Sequence, residues 1–495
     1  MEQVSNQPAF KLNYKRTFLI GFAFFGILLL WQVYDLWCPT FLSEMFAKAF
    51  YPEYETLRQT NTAEAIAQCG DIIKRVQYPV GIMMAIDNIA ALILMPVFGR
   101  LSDKTNTKIG KRMPYILIGT FVCAVAFPFI PVLFHFNQLA GVIIMMAVVV
   151  LFAMMYRNPA VALMPDITPK PLRSKANGII NIMGYIGGAF ATVVGLVFVL
   201  SQYLGTKIDK ETGVYAAHSW AYGNIWAVIG PFLVASVLML VSAVVLFILV
   251  KENKIRDEMK DEMARGDAIS ETADKVDDDK PLSKANKIML FLILGAEFFW
   301  FMADNGISTF LNNYVIYGTH SESTSTMILT ILGGVGSVVG FAVGGLIASK
   351  IGRKWTLFGG LGLTLACYAL WAALTFGIGL PTGSIPVWLY IIWLIKGFGM
   401  SLVHVNSFPM VVELCNSKKI GQFTGYYYAA SMTAQTITPI ALGSLLFIPA
   451  FDWRFLPVYA GVCIAFSLVV FFFVKNVKST KTTFKKGLEA LDAED

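Results

Sequence analysis

Charge is scarce in this chain. Of its 495 residues, 14% are Asp, Glu, Lys or Arg, against about a quarter in ordinary soluble domains. A soluble chain of this length would divide into two or three cores, each needing a polar coat. The residues for that coat are missing, which excludes a soluble enzyme. The 56% hydrophobic and 14% aromatic content excludes a disordered chain. Cysteine is scarce as well. Cys38, Cys69, Cys123, Cys367, Cys415 and Cys463 stand far apart with no CxxC spacing, which argues against a disulfide scaffold and a zinc site. In apolar segments such thiols act as small hydrophobes. There is no HExxH, no clustered His/Asp metal spacing and no Gly-rich phosphate loop ending in Lys-Ser/Thr. No catalytic residue, metal or cofactor is therefore expected. The opening MEQVSNQPAFKLNYKR has no small-residue cleavage site, so the first apolar run is expected to be retained.

Long apolar runs are abundant. Twelve segments reach the ~20 residues needed to cross a bilayer: 17–42, 77–100, 113–134, 138–164, 176–203, 220–250, 286–316, 324–349, 354–379, 386–412, 421–449 and 454–475. The runs are continuous and not alternating, which excludes a membrane β-barrel. With the N-terminus placed in the cytoplasm, thirty Lys and Arg fall on the inside and seven on the outside. The positive-inside rule then puts both termini in the cytoplasm. The basic groups lie between apolar runs, so the net charge of +7 is not a nucleic-acid signal. The expected organisation is a six-helix half over 1–250, a cytoplasmic linker over 251–285, a second half over 286–476 and a cytoplasmic tail over 477–495. The linker is the one long charged stretch and reads as a solvated connection, partly helical at its start. The outside loop 43–76 is polar, with room for short helices.

The halves echo each other. Trp31, Asp35, Thr40, Phe41 and Leu42 recur as Trp300, Asp304, Thr309, Phe310 and Leu311, at a constant offset of 269. The loop Gly99-RLSDKTNTKI-Gly110-Lys111-Arg112 is echoed by Gly345-LIASKI-Gly352-Arg353-Lys354. Asp166 precedes Gly178 by twelve residues, as Glu413 precedes Gly425. Parallel repeats of this kind belong to secondary transporters, with a site between the halves.

The six-plus-six arrangement and the G-x-L-x-D-K…G-K-R loop resemble the major facilitator superfamily. Within it, Gly99-RLSDKTNTKIGKRMPYILIG is similar to the glycoside–pentoside–hexuronide:cation symporters and the sucrose–proton symporters. Asn158-PAVALMPDITPKPLRSKANGIINIMGYIGG is similar to the fourth-to-fifth-span passage of the sucrose-type carriers. The resemblance implies an all-α membrane protein of twelve transmembrane helices in two pseudo-symmetric six-helix halves. It implies a monomeric, proton-coupled symporter of a sugar, a disaccharide or α-glucoside such as sucrose or maltose, in a bacterial inner (plasma) membrane. The alternative is an exporter or proton antiporter of another small solute, since fold does not fix function. Two departures bear on coupling. The paired span-2 carboxylates of melibiose-type sodium symporters fall on Ala91 and Met95, leaving Asp87 one turn back, which favours the proton over sodium. The Arg that plant sucrose carriers place five residues before the span-4 acid falls on Val161, with Arg157 a further turn away.

Ionisable groups inside spans cost ~2.5–3.5 kcal/mol each on insertion scales and persist where a cavity or partner receives them. Asp35, Asp87 and Asp304 are the candidate proton-coupling acids. Helices 1, 4, 7 and 10 line the cavity in this family. The candidate substrate contacts are Trp31, Gln32, Tyr34, Asp35, Arg157, Asp304, Asn305, His404 and Asn406. Aromatic faces suit the C–H face of a sugar, and carboxylates and amides suit its hydroxyls. Trp31, Tyr34 and Asp35 are expected on one helix face, with Gln32 one step off it and Trp37 turned away. Glu297 lies two turns before Asp304, and Lys396 is expected to neutralise an acid. Asp103, Lys104, Lys111, Arg112, Asp166 and Glu413 are the candidate gating residues at the cytoplasmic ends.

Overall fold

The computed structural model describes residues 11–475 apart from 217–219, 267–283, 413 and 415–419. Glu413, residues 267–283 of the linker and the tail over 477–495 therefore lie outside the described residues. Twelve long helices are described. They are α1 (Tyr14–Phe50), α2 (Ala63–Lys104), α3 (Met113–His135), α4 (Leu139–Asp166), α5 (Arg173–Val197) and α6 (Ile225–Leu249), then α7 (Lys284–Asn313), α8 (Thr324–Ile351), α9 (Arg353–Ile378), α10 (Val387–Val412), α11 (Ile420–Phe447) and α12 (Phe455–Phe472). Eleven are long and apolar enough to cross a membrane, and α11, at 28 residues, completes the twelve. Their outer faces carry exposed Phe121, Val338 and Phe466. A water-facing surface would not hold so many large apolar groups.

α2 begins at Ala63, not near 77, so most of the polar outer loop is helical. Thr62 caps it by accepting from the Ala65 N–H at 3.3 Å. Its first turns project beyond the hydrocarbon, where Glu64, Asp71 and Arg75 meet water. A short helix, Glu53–Thr60, lies between α1 and α2.

The helix packing repeats between the halves. α1 packs on α5 and α6, and α7 on α11 and α12. α4 lies against α2 and α3, and α10 against α8 and α9. The halves meet along α2–α11, α5–α8 and α1–α7. The α2–α11 crossing brings backbone to backbone. A Cβ at Gly81 would strike the Pro439 carbonyl, and one at Gly443 would strike Gln77. Glycine is what permits this approach, as in membrane helix pairs generally.

At the end that carries the Lys- and Arg-rich loops, Arg112 gathers the loop. Its Nε donates to Asp166 Oδ2 at 2.7 Å, and its other nitrogens reach Asp103 and Ser102. Lys111 Nζ lies 3.0 Å from the same Asp166 oxygen. Burial works against the Arg112 charge, but the Asp166 and Asp103 carboxylates hold the guanidinium above its ordinary value. Four of the candidate gating residues thus form one cluster. Lys104 is exposed, and no ion pair to it is found among the described residues.

The start of the linker clamps this loop. A short helix, Glu252–Glu258, follows α6. Buried Glu252 accepts from three successive backbone N–H groups, those of Lys111 (2.8 Å), Arg112 (3.0 Å) and Met113 (3.0 Å). These open α3, where unpaired N–H groups and the helix dipole favour a carboxylate. Asn253 donates to the carbonyls of Thr107 and Lys108. Gly110, at φ +125°, packs directly on Glu252.

This clamp is testable. Glu252→Ala leaves three buried N–H groups unpaired, so it should lower stability by about 2–3 kcal/mol. Thermal unfolding of the purified protein checks it. Gly110→Ala, which combines an unfavourable φ with a clash, should act in the same direction.

Candidate functional site

A cavity of about 330 Å³ lies between the halves, lined by α1, α7, α8 and α10. α1 contributes Gln32, Asp35 and Leu36, spaced i, i+3, i+4 along one face. The cavity face of α1 is therefore rotated from the expected Trp31–Tyr34–Asp35 face. Tyr34 is fully buried on the flank toward α2, where its hydroxyl donates to Asp87 Oδ2 at 2.5 Å. It serves Asp87 and does not line the cavity. Trp37 packs edge-on against Phe232 of α6, away from the cavity.

Asp35 is exposed to the cavity. No hydrogen bond or ion pair holds its carboxylate among the described residues. The cation whose field reaches it is Arg157 of α4. That guanidinium sits over the Trp31 ring, 6.0 Å from its centroid. Trp31 meets Tyr34 edge to face at 5.6 Å, and its indole nitrogen is shut from water without a partner among the described residues. Asp35, Arg157, Trp31, Tyr34 and Asp87 thus form one continuous set on α1, α2 and α4.

Across the cavity, Asp304 of α7 is paired. Lys396 Nζ of α10 lies 2.7 Å from its Oδ1. Both line the cavity, and His404 is one helical face further along α10, with its ring against Phe301. Asp35 and Asp304 occupy matched places in the repeat, yet one is unpaired and the other neutralised. The remaining candidates stand apart from the lining. Asn305 is half-buried, its Oδ1 without a partner among the described residues, and Asn406 is buried, donating to the Leu402 carbonyl. Glu297 is fully buried away from the cavity, with no partner for either oxygen among the described residues.

Several lining residues were not singled out by sequence reading. Thr326, Thr330 and Ser337 of α8 present hydroxyl-bearing positions, and Trp393 of α10 presents an aromatic wall. The α8 residues follow a helical period, i, i+4, i+11, within an otherwise apolar, Gly-rich span. That stripe is the signal that could have revealed them.

The end of the cavity away from the Arg112 cluster is closed by neutral side chains. Asn313 of α7 accepts from Thr40 at 2.7 Å and donates to Ser43 and Gln77, each at 2.9 Å. Asn312 donates to the Leu36 carbonyl and to Thr40. All of these side chains are buried. Above them, Glu44 accepts from Tyr54 (3.1 Å), Arg58 (3.0 Å) and, across the halves, Tyr317 (2.8 Å).

This architecture has relatives of known structure. A bacterial homologue of the iron transporter ferroportin, in an inward-facing state, superposes with a TM-score of 0.60 at 14% identity, covering 95% of this chain and 100% of that one. A D-xylose–proton symporter gives 0.60 at 14% identity over 95% and 99%. The inward-open xylose transporter XylE from E. coli gives 0.58 at 15% identity over 95% and 98%. At these identities the likeness is one of fold. No curated protein matches the sequence. The family model described as Major Facilitator Superfamily matches residues 36–376 and 293–492. With twelve helices in two repeated halves around a central cavity, this integral membrane chain belongs to the major facilitator superfamily of transporters.

Proposed function

We propose that the protein imports a neutral sugar, a disaccharide or α-glucoside such as sucrose or maltose, together with one proton. The single observation that carries this reading is the unpaired Asp35 carboxylate in a cavity whose other charges are matched. Asp304 is neutralised by Lys396. That leaves Asp35, Asp87 and one fixed cation, Arg157, whose field reaches Asp35. One proton on either acid balances the set, and a balanced site accepts a neutral solute without a further charge to bury. Gln32 beside Asp35, with the α8 hydroxyls and Trp393 opposite, supplies the donors, acceptors and aromatic face that a sugar needs. The α-glucoside preference rests on the two passages similar to sucrose-type carriers.

The cycle is alternating access. The orientation is that of the charge asymmetry, with both termini cytoplasmic. The closed outer end supports an inward-facing state, and the outward-facing state requires the Asn312–Asn313 contacts to part. Asp35 takes the proton from outside, and its release toward the cytoplasm follows sugar departure. Asp87, held by Tyr34, is the second coupling candidate. The Arg112 cluster and the Glu252 clamp hold the cytoplasmic ends of the first half as a rigid body. Export or antiport of another solute by the same cavity remains the rival, and direction of accumulation separates the two.

Three outcomes follow in proteoliposomes. Sugar uptake should rise with an inward proton gradient, collapse with a protonophore and ignore sodium. Uptake that needs sodium and tolerates the protonophore contradicts the reading. Asp35→Asn keeps shape and removes the charge, so gradient-driven accumulation should fall at least tenfold while sugar counterflow persists. Asp304→Asn should instead destabilise, because Lys396 loses its partner. The expected loss is about 1–3 kcal/mol, below the 3–5 of a fully buried pair, since cavity water reaches Asp304. Adding Lys396→Met should restore thermal stability.

A further inference from the structure

The outer face carries a strap between the halves. Residues 206–216, in the loop between α5 and α6, form a small hairpin closed by the Ile208–Tyr215 bridge and the Ala216 N–H to Lys207 carbonyl bond. The hairpin reaches across to the α7–α8 loop and to residue 384. Ile208 N–H donates to the His320 carbonyl at 3.3 Å, Lys207 Nζ lies 2.8 Å from Glu322, and Lys210 bonds Ser384. Ser201 and Ser323 exchange a pair of hydrogen bonds beside it. At its base, Asn61 holds both backbone groups of Tyr215.

His320 lies under this strap. Its backbone is left-handed at φ +47°, an uncommon conformation for a residue other than glycine. Its ring meets Tyr215 edge to face at 6.3 Å. The Thr206 backbone hydrogen-bonds the ring, while Nδ1 is shut from water with no partner among the described residues. A proton added at Nδ1 would place a cationic N–H where nothing accepts it. Parting the strap would hydrate that nitrogen.

We propose that His320 is an acid-operated latch on the outer gate: it is neutral while the strap is closed, and a proton from outside favours the open strap. The proposal rests on the alternating-access reading above. The surrounding titratable and charged groups do not replace His320 in this role. On the hairpin, burial pushes the Tyr215 hydroxyl upward, away from any working pH, and Lys207 is paired with Glu322 of the ring's own loop. Lys210 is bonded to Ser384, and Asp209 accepts from the Glu211 and Thr212 N–H groups at the hairpin tip. Arg58 and Glu44, behind Tyr215, are paired with each other.

The sign follows from linkage. Burial lowers the closed-state His320 from 6.5 to about 4, against the Thr206 bond that raises it. The open state, hydrated, returns to the ordinary value. The open strap therefore binds more protons, and opening is favoured as pH falls below 6.5, levelling near 4. Between about pH 7.5 and pH 5 the open-to-closed ratio should rise roughly 30-fold.

Spin labels at Gln138→Cys and Thr382→Cys, exposed outer positions on opposite halves, report this directly in nanodiscs without sugar. The outer distance should shift to a longer population as pH falls, and His320→Asn, which tolerates a left-handed backbone, should abolish the response with the outer end closed. If the Asn variant does not fold, His320→Gln carries the same expectation. A parent distance that ignores pH, or a response that survives in the folded variant, overturns the latch. The readout needs no transport. A latch that responds in a protein moving no sugar leaves this inference standing and removes the sugar reading, while intact uptake with a pH-blind distance does the reverse.

Discussion

The ion pair between Asp304 and Lys396 determines how the rest of the cavity works. An apolar chain in a low-dielectric setting can keep a charge only by pairing it or wetting it. The pair removes one acid and one base from the count. What is left is Asp35 in the open cavity, Asp87 held by Tyr34 and Arg157 over Trp31. On the proposed function, coupling therefore falls on the first half, although the repeat offers a matched acid in each.

A second regularity concerns where the charged contacts lie. Among the described residues, the ion pairs with a buried member join groups of one half. Arg112 meets Asp103 and Asp166, Glu44 meets Arg58, and Asp304 meets Lys396. Contacts that cross between halves are neutral hydrogen bonds, as at Asn313, a hydroxyl bond from Tyr317 to the already paired Glu44, or an ion pair toward water, as at Lys207–Glu322. The difference has a physical reason. Breaking a buried ion pair strands a charge at a cost of several kcal/mol. A neutral hydrogen bond exchanges with water at about 1 kcal/mol net. Contacts between the halves are thus mostly amides and hydroxyls, which part at low cost, while each half is held together internally by ions.

Much of this was legible in the sequence. The twelve spans follow from hydrophobic length, and the matched Trp–Asp–Thr-Phe-Leu frames announced the two halves. The Arg112 cluster followed from the loop pattern and the acid at Asp166. The α1 face was read about one residue off, because Trp31 and Tyr34 look like a sugar platform beside Asp35. Helical period alone cannot say which flank meets α2, and Tyr34 meets it. The Glu252 clamp was illegible for a different reason. It joins residues some 140 positions apart through backbone N–H groups, which carry no sequence signature. The outer lock at Asn313 depends likewise on where α1, α2 and α7 converge.

The central claim is that the cavity balances one proton against a neutral sugar, so each turnover should carry one positive charge inward. Sugar-induced current on a solid-supported membrane, with the sugar flux measured in parallel, tests it most directly. The account predicts an inward-positive current of one charge per sugar, unchanged when sodium is replaced by choline. A sugar flux with no net charge, or a current that vanishes without sodium, would contradict it.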